Sequence, residues 1–181
     1  EQFVAGARAD GAPDFEIRTS GRSATMYVVR EAAPSALDKD VRGWDVASDP
    51  GRRAAMEKAI DTGQATVSAC VDMPLDGRLE PGFVFFLPIY DGPGAPATIE
   101  ERRAQLRCLV AAPVRANGFF AGMGAHGDHF IDLDIFDGPD PADARLLYDS
   151  DESRPIQTDR GLGEQLAERM YSNMQCLIIG G

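Results

Sequence analysis

Gly122-Met123-Gly124-Ala125-His126-Gly127 fits G-x-G-x-x-G, a pattern that cradles a pyrophosphate when a strand leads in and a helix leads out. Here the apolar spacing predicts a helix before the glycines and a strand after them. That is the reverse order, so the run reads as a helix-ending glycine loop. His126 and His129, with Asp128 between them, are of metal-ligand type, but a loop gives that spacing no fixed geometry and no second carboxylate–histidine pair accompanies them. They read as a solvated loop. Asp132 and Asp134 alternate with Ile131, Leu133 and Ile135, which puts both carboxylates on one strand face. Such a pair can do acid/base work, although the simpler reading is a strand with one wet face. With two histidines in the whole chain, a serine or cysteine nucleophile lacks a base, and no G-x-S-x-G elbow, P-loop, H-E-x-x-H or kinase signature is present. No enzyme, cofactor or metal is expected in this segment.

Two single residues stand out as binding groups. Asp45, in Gly43-Trp44-Asp45-Val46, follows the one tryptophan and precedes a capped helix. It is either an exposed loop acid or a carboxylate at a cavity rim that accepts hydrogen bonds from ligand N–H groups. Arg115, after Ala112-Pro113-Val114, either closes a binding cleft or caps a junction between two halves of the chain. Cys70, Cys108 and Cys176 lie 38 and 68 positions apart, which gives no C-x-x-C pair and leaves at least one thiol unpaired. Each sits in an apolar run and reads as a small buried hydrophobe.

The balance of 18 Lys+Arg against 29 Asp+Glu over 181 residues gives a formal charge of −11. The arginines are scattered among acids, so nucleic acid is not an expected partner and no dense cationic surface for anionic membrane is expected either. A 44% apolar composition with 26% charged residues is that of a globular chain able to bury a core. No window approaches the roughly 20 apolar residues of a membrane span, and no signal-peptide pattern opens the chain. The start at Glu1, without Met, reads as a processed or excised piece.

Residues 1–10 read as the last turns of a helix stopped by Gly11 and Pro13. Phe15 to Arg18 and Thr25 to Arg30 read as a hairpin, and 34–40 as a short helix. Ser48-Asp49-Pro50 is a strong helix start, with Gly63 as its stop and Ala55, Met56, Ala59 and Ile60 as its apolar stripe. Ala65 to Asp72 and Gly82 to Tyr90 read as neighbouring antiparallel strands. The second is apolar on both faces and is expected to meet water on neither, with one face against helices and the other against a cavity. Thr98-x-x-Glu101 is a capping box opening a short helix, followed by a strand over 106–114. Beyond Arg115 a smaller group follows: a helix through Phe119, Phe120 and Met123, strands over 130–136 and 146–149, a helix over 162–170 and a strand over 174–179. The expected class is α+β, short antiparallel strands with helices packed on one face, with a soft boundary at 113–116.

Four stretches then carry a likeness. They are Tyr27-Val28-Val29 leading to Gly43-Trp44-Asp45; Asp49-Pro50-x-Arg52-Arg53-Ala54-Ala55 with Ala59-x-Asp61-Thr62-Gly63; Gly82-Phe83-Val84 to Pro88-Ile89-Tyr90; and Thr98 to Arg102 with Leu106 to Arg115. In this order and spacing, over residues 14–150, the chain resembles the CHASE domain, an extracytoplasmic sensor module of bacterial and plant transmembrane signalling proteins. The resemblance implies two PAS-like subdomains after a stalk helix, most of which is missing. The segments are 1–13, the stalk's end; 14–114, a distal ligand-binding subdomain; and 115–181, a proximal one. It implies a periplasmic or extracellular position, a membrane-anchored parent with a histidine kinase or diguanylate-type cyclase output, and a homodimeric full-length receptor.

The resemblance also implies a small-molecule ligand, adenine-like in the plant members, where a pocket Asp meets the ring's N–H groups. Asp45 is the matching carboxylate and Val67 the matching wall residue. Val29, Phe85, Leu87, Leu109 and Ala111 are further walls from the same sheet. The departures are the surroundings of Asp45, the bulk of Phe85 and Phe86, and Arg115 where plant members carry an acid. The bulk keeps a second function in view, a structural or dimerisation module whose pocket has collapsed.

Overall fold

The computed structural model describes residues 2–21, 24–33, 41–75, 78–124, 133–138 and 144–150. The chain divides into two compact units, one running to Lys58 and one beginning at Ala59. The expected boundary at 113–116 falls at the passage from a strand ending at Arg115 to a helix starting at Ala116.

In the first unit, helix α1 (Gln2–Ala9) ends before Gly11, which adopts φ +98°. Phe3 of α1 packs edge-on against Phe15 at 5.7 Å between ring centroids, and Phe15 is buried. Among the described residues, the runs around Arg18 and Val28 do not pair with each other as a hairpin. Each pairs with the segment between them in space, through a parallel bridge Arg18↔Trp44 and an antiparallel bridge Val28↔Asp45. The segment 43–46 is thus a central rung, held by Arg18 N to Gly43 O, Asp45 N to Arg18 O, Val29 N to Trp44 O and Val46 N to Tyr27 O. Gly43 makes the approach possible, since it sits at φ +81° and a Cβ there would lie 1.9 Å from Glu16 O.

Helix α2 (Pro50–Thr62) starts as the sequence predicts: Asp49 Oδ1 accepts from Arg52 N at 2.8 Å, and Pro50 takes the first helical position. It stops at Gly63, at φ +71°. Ala55, Met56, Ala59 and Ile60, the stripe at helical spacing, are all buried.

The second unit is built on one long strand. Its members are β1 (Thr66–Val67), β2 (Val71–Leu75), β3 (Arg78–Tyr90) and, after helix α3 (Ile99–Ala104), β4 (Leu106–Arg115). β3 is central: β2 and then β1 pair antiparallel along one side, and β4 pairs antiparallel along the other. The single strand expected over 65–72 is divided because Ser68 takes over the ladder. Its N–H donates to Val84 O and its Oγ accepts from Val84 N, while the hydroxyl donates to Ala69 O.

These bonds also fix the direction of every peptide group in β3. Even-numbered residues face β1 and β2, odd-numbered ones face β4. Pro81 therefore faces the β4 side, beyond the end of that strand at Arg115 opposite Gly82. Pro88 faces the β1 side, beyond the end of β1 at Thr66 opposite Phe86. Pro74 and Pro113, opposite Leu79 and Val84, turn their missing N–H outward. Four prolines thus sit in a sheet without removing a ladder bond.

Helix α3 carries the full capping box between Thr98 and Glu101. Helix α4 (Ala116–Gly124) and a second sheet, β5 (Asp134–Asp137) paired antiparallel with β6 (Arg145–Asp149), complete the described unit. Phe83, Ala116, Phe120 and Tyr148 form its buried cluster, with Val67, Phe85, Val114, Leu133, Ile135 and Leu147 packed around it. The architecture is α+β, antiparallel sheets with helices, as expected. The expected elements at 34–40, 130–132, 162–170 and 174–179, together with His126, His129 and Asp132, lie outside the described residues.

Candidate functional site

Paired residues of an antiparallel ladder share a face, so the register sorts the expected wall residues into two sets. Val67 lies opposite Phe85, whose other neighbour is Ala112; Leu87 lies opposite Val110, and Ile89 opposite Cys108. These form one face. Thr66, Phe86 and Ala111 share the other, with Pro88 opposite Leu109 and Gly82 opposite Arg115. The structure therefore brings Val67, Phe85 and Leu87 together and places Leu109, Ala111 and Arg115 on the reverse side. Val29 and Asp45 belong to the first unit.

The first face changes character along β3. At its lower end Phe83 is buried and meets Phe85 edge-on at 5.5 Å, Phe119 at 5.5 Å and Phe120 at 6.0 Å. Higher up, Leu87 is 45% exposed, Ile89 37% and Val110 52%. The expectation that β3 meets water on neither face is thus corrected: among the described residues, α4 and the β5–β6 hairpin cover the Phe83 end, and the Leu87 end is open. Phe85 and Val67 lie between, half-buried, with one side in the core cluster. Val110, Ala112 and Ile89 are members that sequence reasoning missed. On the reverse side Phe86 is fully buried, while Ala111 and Arg115 are exposed at the β4 edge.

Asp45 is 1% exposed, and its carboxylate is engaged by its own chain. Thr19 Oγ1 donates to Oδ2 at 2.8 Å and Tyr27 N donates to Oδ1 at 3.0 Å, while its backbone carbonyl accepts from Ser48 Oγ at 2.8 Å. The burial follows from the rung geometry, because residues 43–46 are bracketed by the Arg18 and Val28 segments. Next to it Trp44 is exposed and carries the Arg52 guanidinium 5.2 Å from its ring centroid. The first unit also has a half-open cleft of about 310 Å³, lined by Ala7, Ala12 and Ala32 with Asp10, Arg30, Glu31 and Arg42; none of the expected site residues lines it.

The hairpin is tied to the four-stranded sheet by polar contacts at its turn end. Asp137 and Arg145 face each other across β5 and β6. Asp137 Oδ2 accepts from Cys70 N at 2.5 Å, and Arg145 pairs with Asp72. Burial pushes the Cys70 thiol up from its usual value, with the nearby Arg145 charge working the other way.

Among the described residues there is thus an antiparallel sheet with one half-covered apolar face, and no group of metal-ligating residues. The family model described as CHASE domain matches residues 1–148, and the chain belongs to that family, the extracytoplasmic, non-catalytic sensor domains of signalling receptors. No curated protein matches the chain. No helix among the described residues is long and apolar enough to cross a membrane.

Proposed function

We propose that this domain senses a small molecule for a membrane-anchored receptor, from the periplasmic or extracellular side, and that the receptor's output is a histidine kinase or diguanylate cyclase. The observation that carries the binding part is the open apolar face. Leu87, Ile89 and Val110 remain exposed beside half-buried Phe85 and Val67, in a family of sensors. Val67, Phe85 and Leu87 are the wall residues of this reading, joined by their register partners Val110 and Ala112. Flat aliphatic and aromatic surface of this kind suits a planar ring, and adenine-type compounds head the ligand classes to test. Asp45 contributes to the first unit as the acceptor for Thr19 and Tyr27. The division into a distal part, 14–114, and a proximal part, 115–181, belongs to the same reading; the separate β5–β6 sheet supports it. So does homodimerisation of the full receptor.

The test is thermal unfolding against purines, cytokinin-like adenines, amino acids and small organic acids, on the native chain and on Leu87→Asp. At about 100 times Kd a ligand stabilises by about 2.7 kcal/mol. The expected result is a shift with one class that the variant loses, because the change is at an exposed position on the proposed face. A shift that Leu87→Asp keeps in full places the ligand elsewhere. No shift with any class favours the collapsed, structural module.

A further inference from the structure

Phe85 and Val67 belong at once to the open face and to the cluster that seats the β5–β6 hairpin. The rings form an unbroken series. Phe85 meets Phe83 edge-on, Phe83 meets Phe120, and Phe120 meets Tyr148 of β6 at 5.9 Å. Ile135 and Leu147 of the hairpin pack on the same cluster, and two polar ties join it to the sheet at and just before β2: the Asp137 carboxylate on Cys70 N, and the Arg145–Asp72 pair. Both partners of the ion pair are 46% exposed, so it contributes little against undocking. A two-stranded sheet seated on one cluster, with one backbone-to-carboxylate bond and one exposed ion pair beside it, belongs to the low-stability end of a domain's local openings.

We infer that occupancy of the Leu87/Val110 face and docking of the β5–β6 hairpin are linked, with Phe83 as the shared ring, so that a molecule on the face holds the hairpin down. This rests on the binding reading given above and adds to it the element that responds. Phe85 packs on Phe83, Phe83 packs on Phe120 of α4, and Phe120 packs in turn on Tyr148 of the hairpin, so undocking takes away the support at the far end of the series. A molecule packed on Phe85 therefore binds the docked arrangement better, and by reciprocity the docked arrangement binds it better.

The face carries its own attachment point for a test. Cys108, exposed, lies opposite Ile89 on the same side as Leu87 and Val110. In the full chain with Cys70→Ala and Cys176→Ser, Cys108 is labelled with benzyl methanethiosulfonate or, as the small control, methyl methanethiosulfonate. Cys70→Ala keeps the N–H that Asp137 holds. Leu87 and Val110 methyl resonances report whether the benzyl group lies on the face, and amide hydrogen exchange over 134–137 and 145–149 reports docking. The expected result is shifted methyls together with hairpin exchange slowed about fivefold or more by the benzyl label over the methyl one, the lower end of ordinary coupling. Phe83→Leu, or Tyr148→Leu if that variant does not fold, is expected to abolish the slowing while the methyl shifts persist. Shifted methyls with equal or faster hairpin exchange overturn the linkage and leave the binding face standing. Unshifted methyls overturn both.

Discussion

Thr19 donates its hydroxyl to Asp45 Oδ2 at 2.8 Å, across 26 residues of sequence, and Tyr27 N occupies the other carboxylate oxygen. The three segments of the first unit's small rung structure are thus joined at one carboxyl group. Replacing Asp45 by Ala leaves the Tyr27 N–H without its acceptor in a half-buried place and empties a buried position. The expected cost is about 1–3 kcal/mol, seen as a lowered urea midpoint; Asp45→Asn, which keeps one acceptor oxygen, should lose less. An Asp45→Ala chain as stable as the native one would show that the carboxylate is free for another task.

Gly43 is the neighbour that allows this arrangement. Its φ of +81° is left-handed, and a Cβ would meet the Glu16 carbonyl oxygen at 1.9 Å, a backbone atom that cannot swing aside. Gly43→Ala is expected to cost about 2 kcal/mol or more and to loosen the rung. Amide exchange at Arg18, Val29 and Asp45, whose N–H groups bond across it, is the measurement; unchanged protection at all three would remove the steric account.

The two faces of β3 make opposite predictions for adjacent residues. Phe86 is fully buried, so Phe86→Ala should cost about 3–5 kcal/mol. Leu87, 45% exposed on the other side, should cost well under half of that as Leu87→Ala. Equal losses in a denaturant titration would mean that Leu87 is buried as deeply as Phe86, and that the face which the β3–β4 register gives it in common with Val110 is closed.

That register is where legibility in the sequence ends. Helix α2 was readable from Ser48-Asp49-Pro50 at one end and Gly63 at the other, and α3 from Thr98 and Glu101, because caps are local chemistry. The run from Leu106 to Val114 announces a strand, but it carries apolar residues at both parities, so no alternation tells which of Leu109 or Val110 accompanies Phe85. A slip of one residue exchanges the faces, and the choice is made by pairing with β3, not by β4 itself. The hairpin read between Phe15 and Arg30 failed for a related reason. Each run found its partner in Gly43-Trp44-Asp45, a segment with no strand signal, held by the buried carboxylate. Asp45 could be picked out as unusual from its place beside Trp44, while its partners, Thr19 and Tyr27, had no sequence pattern to give them away.

At the end of α2, Arg103 forks onto Asp61, with its two nitrogens 2.7 Å from the two carboxylate oxygens, while Arg102 donates to the Asp61 carbonyl at 2.5 Å. The Arg103 hydrogen bond, against some desolvation, holds the Asp61 carboxyl below its usual 3.8. A carboxyl depressed in the folded state adds stability that is fully present above the unfolded value and is lost as pH falls through the folded one. Arg103 is 63% exposed, so the pair is a surface one with a contribution of about 0.2–1 kcal/mol. Asp61→Asn is therefore expected to lower the urea midpoint slightly at pH about 7, and the gap to the native chain should close below pH about 4. A gap that persists unchanged to pH about 2 would assign the loss to helix C-terminal geometry and not to the charge; added salt, which weakens only the charge term, would then leave it unchanged as well.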